Sequence, residues 1–386
     1  MPRFSVIDPK TIALTKNRFQ NQNVLLLGRG NMGAAISDAI VRRSTPDDSL
    51  LLAYDPKQHS AAGIKFLPSF DVAINHPGVS CILPGMKPQD WNIELKQAME
   101  AIRDLGKLVL PYMAGLGVPE TGGDIVWMPN MLAAVNRSVI FAYAPPEVSL
   151  EKRLQFSELL MAAGEVVWVE NPEDMHIGVA VSGSAPAYIL NFMDEAVAQL
   201  EALDVSRKEA LKLVIDLVQQ LAGMVFDMDK CEDLSRMACV FDDDVSLQMF
   251  RMAVAYVEVV REMLPDELVS RTVGHTIAGT AELINSRFQL NGNCDFKSII
   301  QSIRSKGGTT DKALLQLEKL AGATLTPQDE FNALFHRALY AAHDQSILLR
   351  DNAVARLKSE SKGSHTFFGA DAQKVGEGEG FELQLK

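Results

Sequence analysis

In the first half of the chain, short apolar runs alternate with stretches whose apolar positions recur every three to four residues. That alternation predicts strands covered by helices and a parallel sheet. The strands are expected at "NVLLL" (23–27), "SLLLAYD" (49–55), "VSCIL" (79–83), "KLVLPY" (107–112), "DIVWM" (124–128), "VIFAY" (139–143) and "EVVWVE" (165–170). The period changes near "ENPEDMHIG", and from about residue 186 to 350 it is almost entirely that of amphipathic helices. The pattern divides the chain into an extension over 1–22, an α/β domain over 23–174, a helical domain over 175–350 and a polar tail over 351–386 expected to be flexible. A weak repeat is present: "VQQLAGMVF" (218–226) and "GHTIAGTAELI" (274–284) share an Ala-Gly step about 56 residues apart. A duplicated helix pair and a coincidence of helix composition both account for it.

Composition narrows the class. The chain has 386 residues, 47% of them hydrophobic and 22% charged, which suits two soluble domains. A net charge of −12 argues against nucleic acid, whose phosphates reward a basic face. No apolar run is long enough to span a bilayer, and the N-terminus lacks the pattern of a signal peptide. Cys81, Cys231, Cys239 and Cys294 form neither a C-x-x-C pair nor a metal-ligand spacing, so reduced thiols and a cytoplasmic location are expected, with no metal. His336 and His343 share a helix face without further ligands, and "DMDKCED" lacks the glycine and the glutamate of a calcium loop.

The stretch "LLLGRGNMGAAISDAI" (25–40) carries the chemistry of the first domain. Gly28, Gly30 and Gly33 stand as G-x-G-x-x-G between a predicted strand and a predicted helix. This is the fingerprint of a Rossmann-type dinucleotide site. Gly28 permits the tight turn, Gly30 lets the backbone approach a pyrophosphate, and Gly33 lets the helix pack close to the strand. Asn31 and Met32 complete the loop at the helix N-terminus, where free N–H groups attract phosphate. Arg29 either contacts phosphate or faces solvent. Asp55, at the end of the second strand, is placed to read a ribose 2′-hydroxyl and to repel a 2′-phosphate. That favours NADH, although Lys57 and His59 follow at once and could attract a phosphate.

Four further stretches resemble the pyrroline-5-carboxylate reductase family: "GMKPQDW" (85–91), "VWMPNML" (126–132), "VSGSAPAYI" (181–189) and "IRSKGGTTDKAL" (303–314). With the glycine loop they follow the family's order from about residue 23 to 350. The resemblance implies a Rossmann-type domain followed by an all-α dimerisation and substrate domain. It also implies NAD(P)H-dependent reduction of 1-pyrroline-5-carboxylate to L-proline, in a homodimer or higher homo-oligomer. On the same footing Lys87, Pro88, Ala114 and Asn130 line the cofactor cleft with Gly28–Gly33 and Asp55. Ser182, Gly183 and Ser184 shape the nicotinamide and substrate side. Ser305, Gly307, Gly308, Thr309 and Thr310 hold the substrate from a loop that comes from the partner subunit, with Thr310 as the hydrogen-bond donor to the imine nitrogen. Read without the resemblance, the last two stretches are polar, Gly-containing loops that each feed a helix N-terminus, which suits either a carboxylate site or ordinary capping.

The chain also departs from the family pattern. Val126 stands where the family has Arg, Ala185 where it has Gly, Lys306 where it has Pro, and Pro111 where it has Ser before Ala114-Gly115. An insertion over about 226–275 includes an acidic stretch expected to form a solvated helix connection. Alternatives therefore remain: an imine reductase for another ring, or a catalytically silent nucleotide-binding homologue. A β-hydroxyacid-type dehydrogenase would need a helix lysine as general acid, and no such motif is visible.

Overall fold

A computed structural model of the chain describes residues 4–7, 23–43, 51–58, 60–227, 243–292, 294–304, 307–317 and 328–363. The strands are β1 (Phe4–Ser5), β2 (Asn23–Leu27), β3 (Leu51–Tyr54), β4 (Ile64–Phe66), β5 (Val79–Pro84), β6 (Leu108–Val109), β7 (Val126–Met128), β8 (Ser138–Tyr143) and β9 (Gly164–Val169). The helices are α1 (Asn31–Arg43), α2 (Phe70–Ile74), α3 (Ile93–Asp104), α4 (Val118–Thr121), α5 (Leu150–Leu160), α6 (Met175–Gly178), α7 (Ala185–Ala202), α8 (Arg207–Phe226), α9 (Asp244–Met263), α10 (Asp266–Asn291), α11 (Phe296–Ile303), α12 (Thr309–Leu317) and α13 (Gln328–Gly363).

Five strands form a parallel sheet in the order β4-β3-β2-β5-β6. Connections leave β2 in opposite directions, so the crevice that binds ligands in such sheets opens beyond the ends of β2 and β5. The glycine loop follows β2. The expectation of one parallel sheet needs correction for the rest of the domain. A second sheet, β1-β9-β8-β7, is mixed: β7 pairs antiparallel with β8, β8 parallel with β9, and β1 antiparallel with β9. The reason is the connection between β7 and β8, a single 3-10 turn over Met131–Val135, too short for a crossover.

The helical domain starts at Met175, next to the expected boundary. Its core is continuous from α7 through α13, with Tyr188, Tyr256, Phe296 and Phe335 fully buried. Most of the stretch expected to form a solvated connection, residues 228–242, lies outside the described residues. Asp243 caps α9 by accepting from the Ser246 N–H at 2.8 Å, and Met249, Phe250 and Met252 behind it are core residues. Most of "DMDKCED", with Cys231 and Cys239, lies outside the described residues. The tail begins later than expected. Residues 351–363 continue α13, held where Ala353 and Leu357 are buried and where Arg356 donates to the carbonyls of Pro88, Gln89 and Trp91 at 2.6, 3.1 and 2.6 Å.

Among the described residues no helix is long and apolar enough to cross a membrane, and no three His, Cys, Asp or Glu residues are grouped as metal ligands. Cys81 and Cys294 are buried and in no disulfide.

Candidate active site

The loop after β2 turns at Gly28, whose φ of +89° suits glycine and whose N–H donates to the Tyr54 carbonyl at 2.9 Å. A Cβ on Gly33 would lie 2.7 Å from the Gly28 carbonyl oxygen, so only glycine lets α1 approach β2 this closely. Gly30 differs from both: a Cβ there would meet nothing within 4 Å. Gly30 and Asn31 are exposed and Met32 is half-buried, and the first N–H groups of a helix have no partner within it. These residues fit a dinucleotide pyrophosphate, with an open cradle and a positive helix end.

Asp55 is buried at the end of β3. One carboxylate oxygen accepts the Arg29 N–H at 2.6 Å and the other the Lys57 N–H at 2.8 Å. Its charge thus fixes both the glycine loop and the turn after β3. The Arg29 side chain takes neither of its two expected positions. It folds back along α1, donating to Ser37 at 3.0 Å, to Gln58 at 3.1 Å and to Asp38 at 2.6 Å. His59 lies outside the described residues. Lys87 is exposed on the rim after β5, and the Pro88 carbonyl beside it is taken by Arg356.

Deeper in the cleft, the chain between α6 and α7 forms a π-helical turn, Val179–Gly183. Such turns leave backbone groups unpaired and aim side chains at sites. The Val181 carbonyl is taken by the Tyr256 hydroxyl of α9. Asn130 donates to the Ser182 hydroxyl at 2.9 Å and to the Ser182 carbonyl at 3.1 Å, and Ser182 donates to the Val139 carbonyl at 2.9 Å. Both side chains are 1% exposed. Their polar atoms serve one another and the backbone, so this pair positions the π-helical turn against β8. Gly183 has open space beside it, with the nearest atoms at 3.9 Å or beyond.

Ser184, Thr309 and Thr310 come together. The Thr310 hydroxyl donates to Ser184 Oγ at 3.2 Å, and Ser184 donates to Thr309 Oγ1 at 3.3 Å. All of these contacts are within one chain, although the resemblance implied a partner's loop. Asn31 at the glycine loop donates to the Ser302 carbonyl at 3.0 Å, which brings the end of α11 to the nucleotide cleft. Ser305 and Lys306 lie outside the described residues. Gly307 turns the loop at a φ of +71°, and Gly308 beside it is buried.

Sequence reasoning missed the residues that hold this loop. Asp311 accepts the Gly307 N–H at 2.8 Å and Arg304 Nε at 2.5 Å, and these bonds hold its carboxyl below the ordinary range. The signal was readable, since an acidic residue in the first turn of a helix after a glycine turn is a capping pattern. Gln345 of α13 donates to the Gly307 carbonyl at 2.9 Å, a long-range contact that no local pattern announces. Tyr188, fully buried next to Ser184, has its phenol pushed far up by burial and stays protonated.

A cavity of about 300 Å³ adjoins the cleft, between the Gly115 turn, Met128, Val126, His176 and Arg350. The Ala114–Gly115 turn is roofed by α13: a Cβ on Gly115 would lie 3.1 Å from both the Ser346 carbonyl and the Arg350 N–H. His176 shares a hydrogen bond of 2.8 Å with the Ser346 hydroxyl, and burial first, then Arg350, lowers its pKa from 6.5 to about 4. The folded state therefore resists the proton that the unfolded chain accepts. Stability is complete above pH 6.5 and falls as the pH drops from 6.5 towards 4, by up to roughly 3 kcal/mol. A His176→Gln variant is expected to lose that part of the acid dependence, measured as urea midpoints between pH 4 and 7.5. An unchanged pH profile would place the acid sensitivity on other groups.

Comparison with known proteins bears on this arrangement. Residues 172–241 match the family model described as pyrroline-5-carboxylate reductase dimerisation. A pyrroline-5-carboxylate reductase of Haemophilus influenzae is 27% identical over 219 residues, covering 53% of this chain and 79% of that protein. The Pasteurella multocida enzyme of that name is 28% identical over 224 residues, covering 54% of this chain and 80% of its own. Over these segments the chain is similar to pyrroline-5-carboxylate reductases. A solved Plasmodium falciparum pyrroline carboxylate reductase with NADP bound has the same fold, with a TM-score of 0.52 and 18% identity over 86% of this chain and all of that one. Direct hydrogen bonds join the M-P-N turn to the S-G-S stretch and the S-G-S stretch to the G-G-T-T loop, and the Asn31–Ser302 bond ties the glycine loop to the helix before the last of them.

Proposed function

We propose that the protein reduces 1-pyrroline-5-carboxylate to L-proline with a reduced nicotinamide dinucleotide. The observation that carries this reading is the meeting of the two halves of the cleft. Thr310 stands 3.2 Å from Ser184, while Asn31 ties the glycine loop to the segment that leads to Thr310.

A bound reduced dinucleotide would supply the hydride for C5 of the imine, the C=N electron pair passing to nitrogen. The protonated imine is already electrophilic, so position matters more than a strong acid. Thr310, whose hydroxyl both donates and accepts, is the group for the imine nitrogen. The start of α12, with Gly308 buried and Gly307 turned by Asp311, offers backbone N–H groups to the substrate carboxylate. Ser184 orients Thr310, and the Asn130–Ser182 pair fixes the turn that carries Ser184. Tyr188 keeps its proton throughout and closes the apolar wall.

Asp55 favours NADH. Its carboxylate already accepts two backbone N–H groups, and its charge opposes a second anion at the ribose. Asp55→Asn is expected to lower the NADH-over-NADPH ratio of kcat/KM about tenfold, the scale of one partly screened charge at short range. An unchanged ratio would mean that the discrimination lies elsewhere. The buried reduced thiols suit a cytoplasmic enzyme.

The direct test is loss of reduced-nicotinamide absorbance with pyrroline-5-carboxylate, run with NADH and NADPH in parallel and with proline identified as product. Turnover establishes the reaction. Cofactor binding without turnover would overturn this substrate.

A further inference from the structure

The Ala-Gly repeat falls on two helical hairpins of the same build. α7 and α8 are joined by residues 203–206, and α9 and α10 by residues 264–265. An offset of 56 residues superposes buried positions of one hairpin on those of the other. Ile189, Met193, Ala196 and Val197 match Val245, Met249, Met252 and Ala253. Leu221, Ala222 and Val225 match Ile277, Ala278 and Ala281. The two hairpins pack on one another, with α8 lying along α10. The matched family segment, described as a dimerisation region, ends at residue 241 and so contains only the first hairpin.

The outer faces of the two second helices have different fates. On α10, Thr272, Thr276, Gly279 and Leu283 are buried. A Cβ on Gly279 would lie 2.6 Å from Arg137 Cβ and 2.9 Å from Leu132 Cδ1, so the first domain seats directly on this glycine. Next to it Arg137 grips Glu282 at 2.8 and 3.1 Å. The equivalent α8 positions are Asp216, Gln220, Gly223 and Asp227, all exposed, and a Cβ on Gly223 would meet nothing within 4 Å. One seat holds a nucleotide-binding domain, and its twin presents polar groups to solvent.

We propose that α9–α10 is an internal copy of α7–α8 that stands where a second subunit's hairpin would stand, so that both sides of the active site belong to one chain. A dimerising hairpin packs against its copy, and here the copy is supplied in cis. The second hairpin also supports the site itself, because Tyr256 of α9 holds the Val181 carbonyl of the π-helical turn. With the partner replaced internally, α12 delivers Thr310 to Ser184 of the same chain. The outer face of α8, with no second nucleotide-binding domain to seat, has become polar. This inference rests on the reading of Ser184 and Thr310 as facing sides of the site.

A cysteine pair tests it without any turnover. In Ser184→Cys/Thr310→Cys the two sulfurs replace oxygens 3.2 Å apart, within reach of a disulfide. Oxidised protein is expected to run at monomer mass on a non-reducing denaturing gel, with the 184–310 link found by peptide mass mapping and absent from either single variant. A covalent dimer through the same pair, or no link at all after full oxidation, overturns the proposal. Gly223→Leu supplies an independent test. It is expected to leave dinucleotide affinity within twofold of the parent, whereas a loss of tenfold or more would make the α8 face the seat of a partner's nucleotide-binding domain. Failure of the substrate assignment would instead appear as absent turnover in a protein that still forms the link within one chain.

Discussion

Gly30→Val is expected to fold as the parent does and to bind NADH at least about 100-fold more weakly. Most glycine-loop substitutions confuse these two effects. At Gly28 a side chain must adopt a φ of +89°, and at Gly33 it collides with the Gly28 carbonyl, so either change damages the loop itself. Gly30 separates them, since its missing side chain faces space that no protein atom fills. Valine there leaves the packing of α1 on β2 untouched and fills the approach to the N–H groups of the first α1 turn. Losing close pyrophosphate contact removes several charge-assisted hydrogen bonds, each worth about 1.5–3 kcal/mol, so two orders of magnitude is a conservative loss. Titration calorimetry gives the affinity and a thermal melt gives the fold. Parental affinity in a folded variant would move the dinucleotide away from this loop.

Thr310→Val should separate chemistry from cofactor binding. Valine keeps the shape and removes the hydroxyl, and Ser184 keeps Thr309 as a partner at 3.3 Å, so the loop stays in place. With the hydroxyl gone, the developing amine loses its hydrogen bond in a site that is 6% exposed at this residue. The expected cost is about 2–3 kcal/mol, or roughly 30- to 150-fold in kcat/KM for the imine. NADH affinity should stay within twofold. A large drop in NADH affinity with little change in kcat would put Thr310 on the cofactor side of the cleft.

The parts of the molecule that were legible in the sequence are those fixed by neighbours in the chain. The strand Asn23–Leu27, the three glycines and the start of α1 form one contiguous signal. The S-G-S loop feeds a helix N-terminus as expected, with Pro186 within the first two residues of α7. Other features depend on distant partners. Phe4–Ser5 is too short to read as a strand and becomes one only by pairing with Trp168 and Val169. The Asn130–Ser182 pair joins residues 52 apart, and each looked like a ligand-binding polar residue until the other was placed beside it.

At the start of α9 the charge of Asp243, which caps the helix, and of Asp244 beside it masks the apolar period that follows. Much of the apolar surface of α8 is buried against α10, inside the same chain, a contact that no local pattern announces. Arg29 shows the converse limit, because a charged residue in a variable loop position found three partners on α1 and the turn after β3.

Helix α13 is 36 residues long, which at 1.5 Å per residue makes a rod of about 54 Å. It is anchored in the helical core near Phe335, passes over the Gly115 turn and ends with Arg356 clasping three carbonyls of the first domain. Two lobes that close like jaws need a pliable connection between them, and this one is a stiff brace fastened at both ends. On the proposed reading this brace sets a frame of fixed width, in which substrate and product pass the cleft rim without a change in the angle between the lobes.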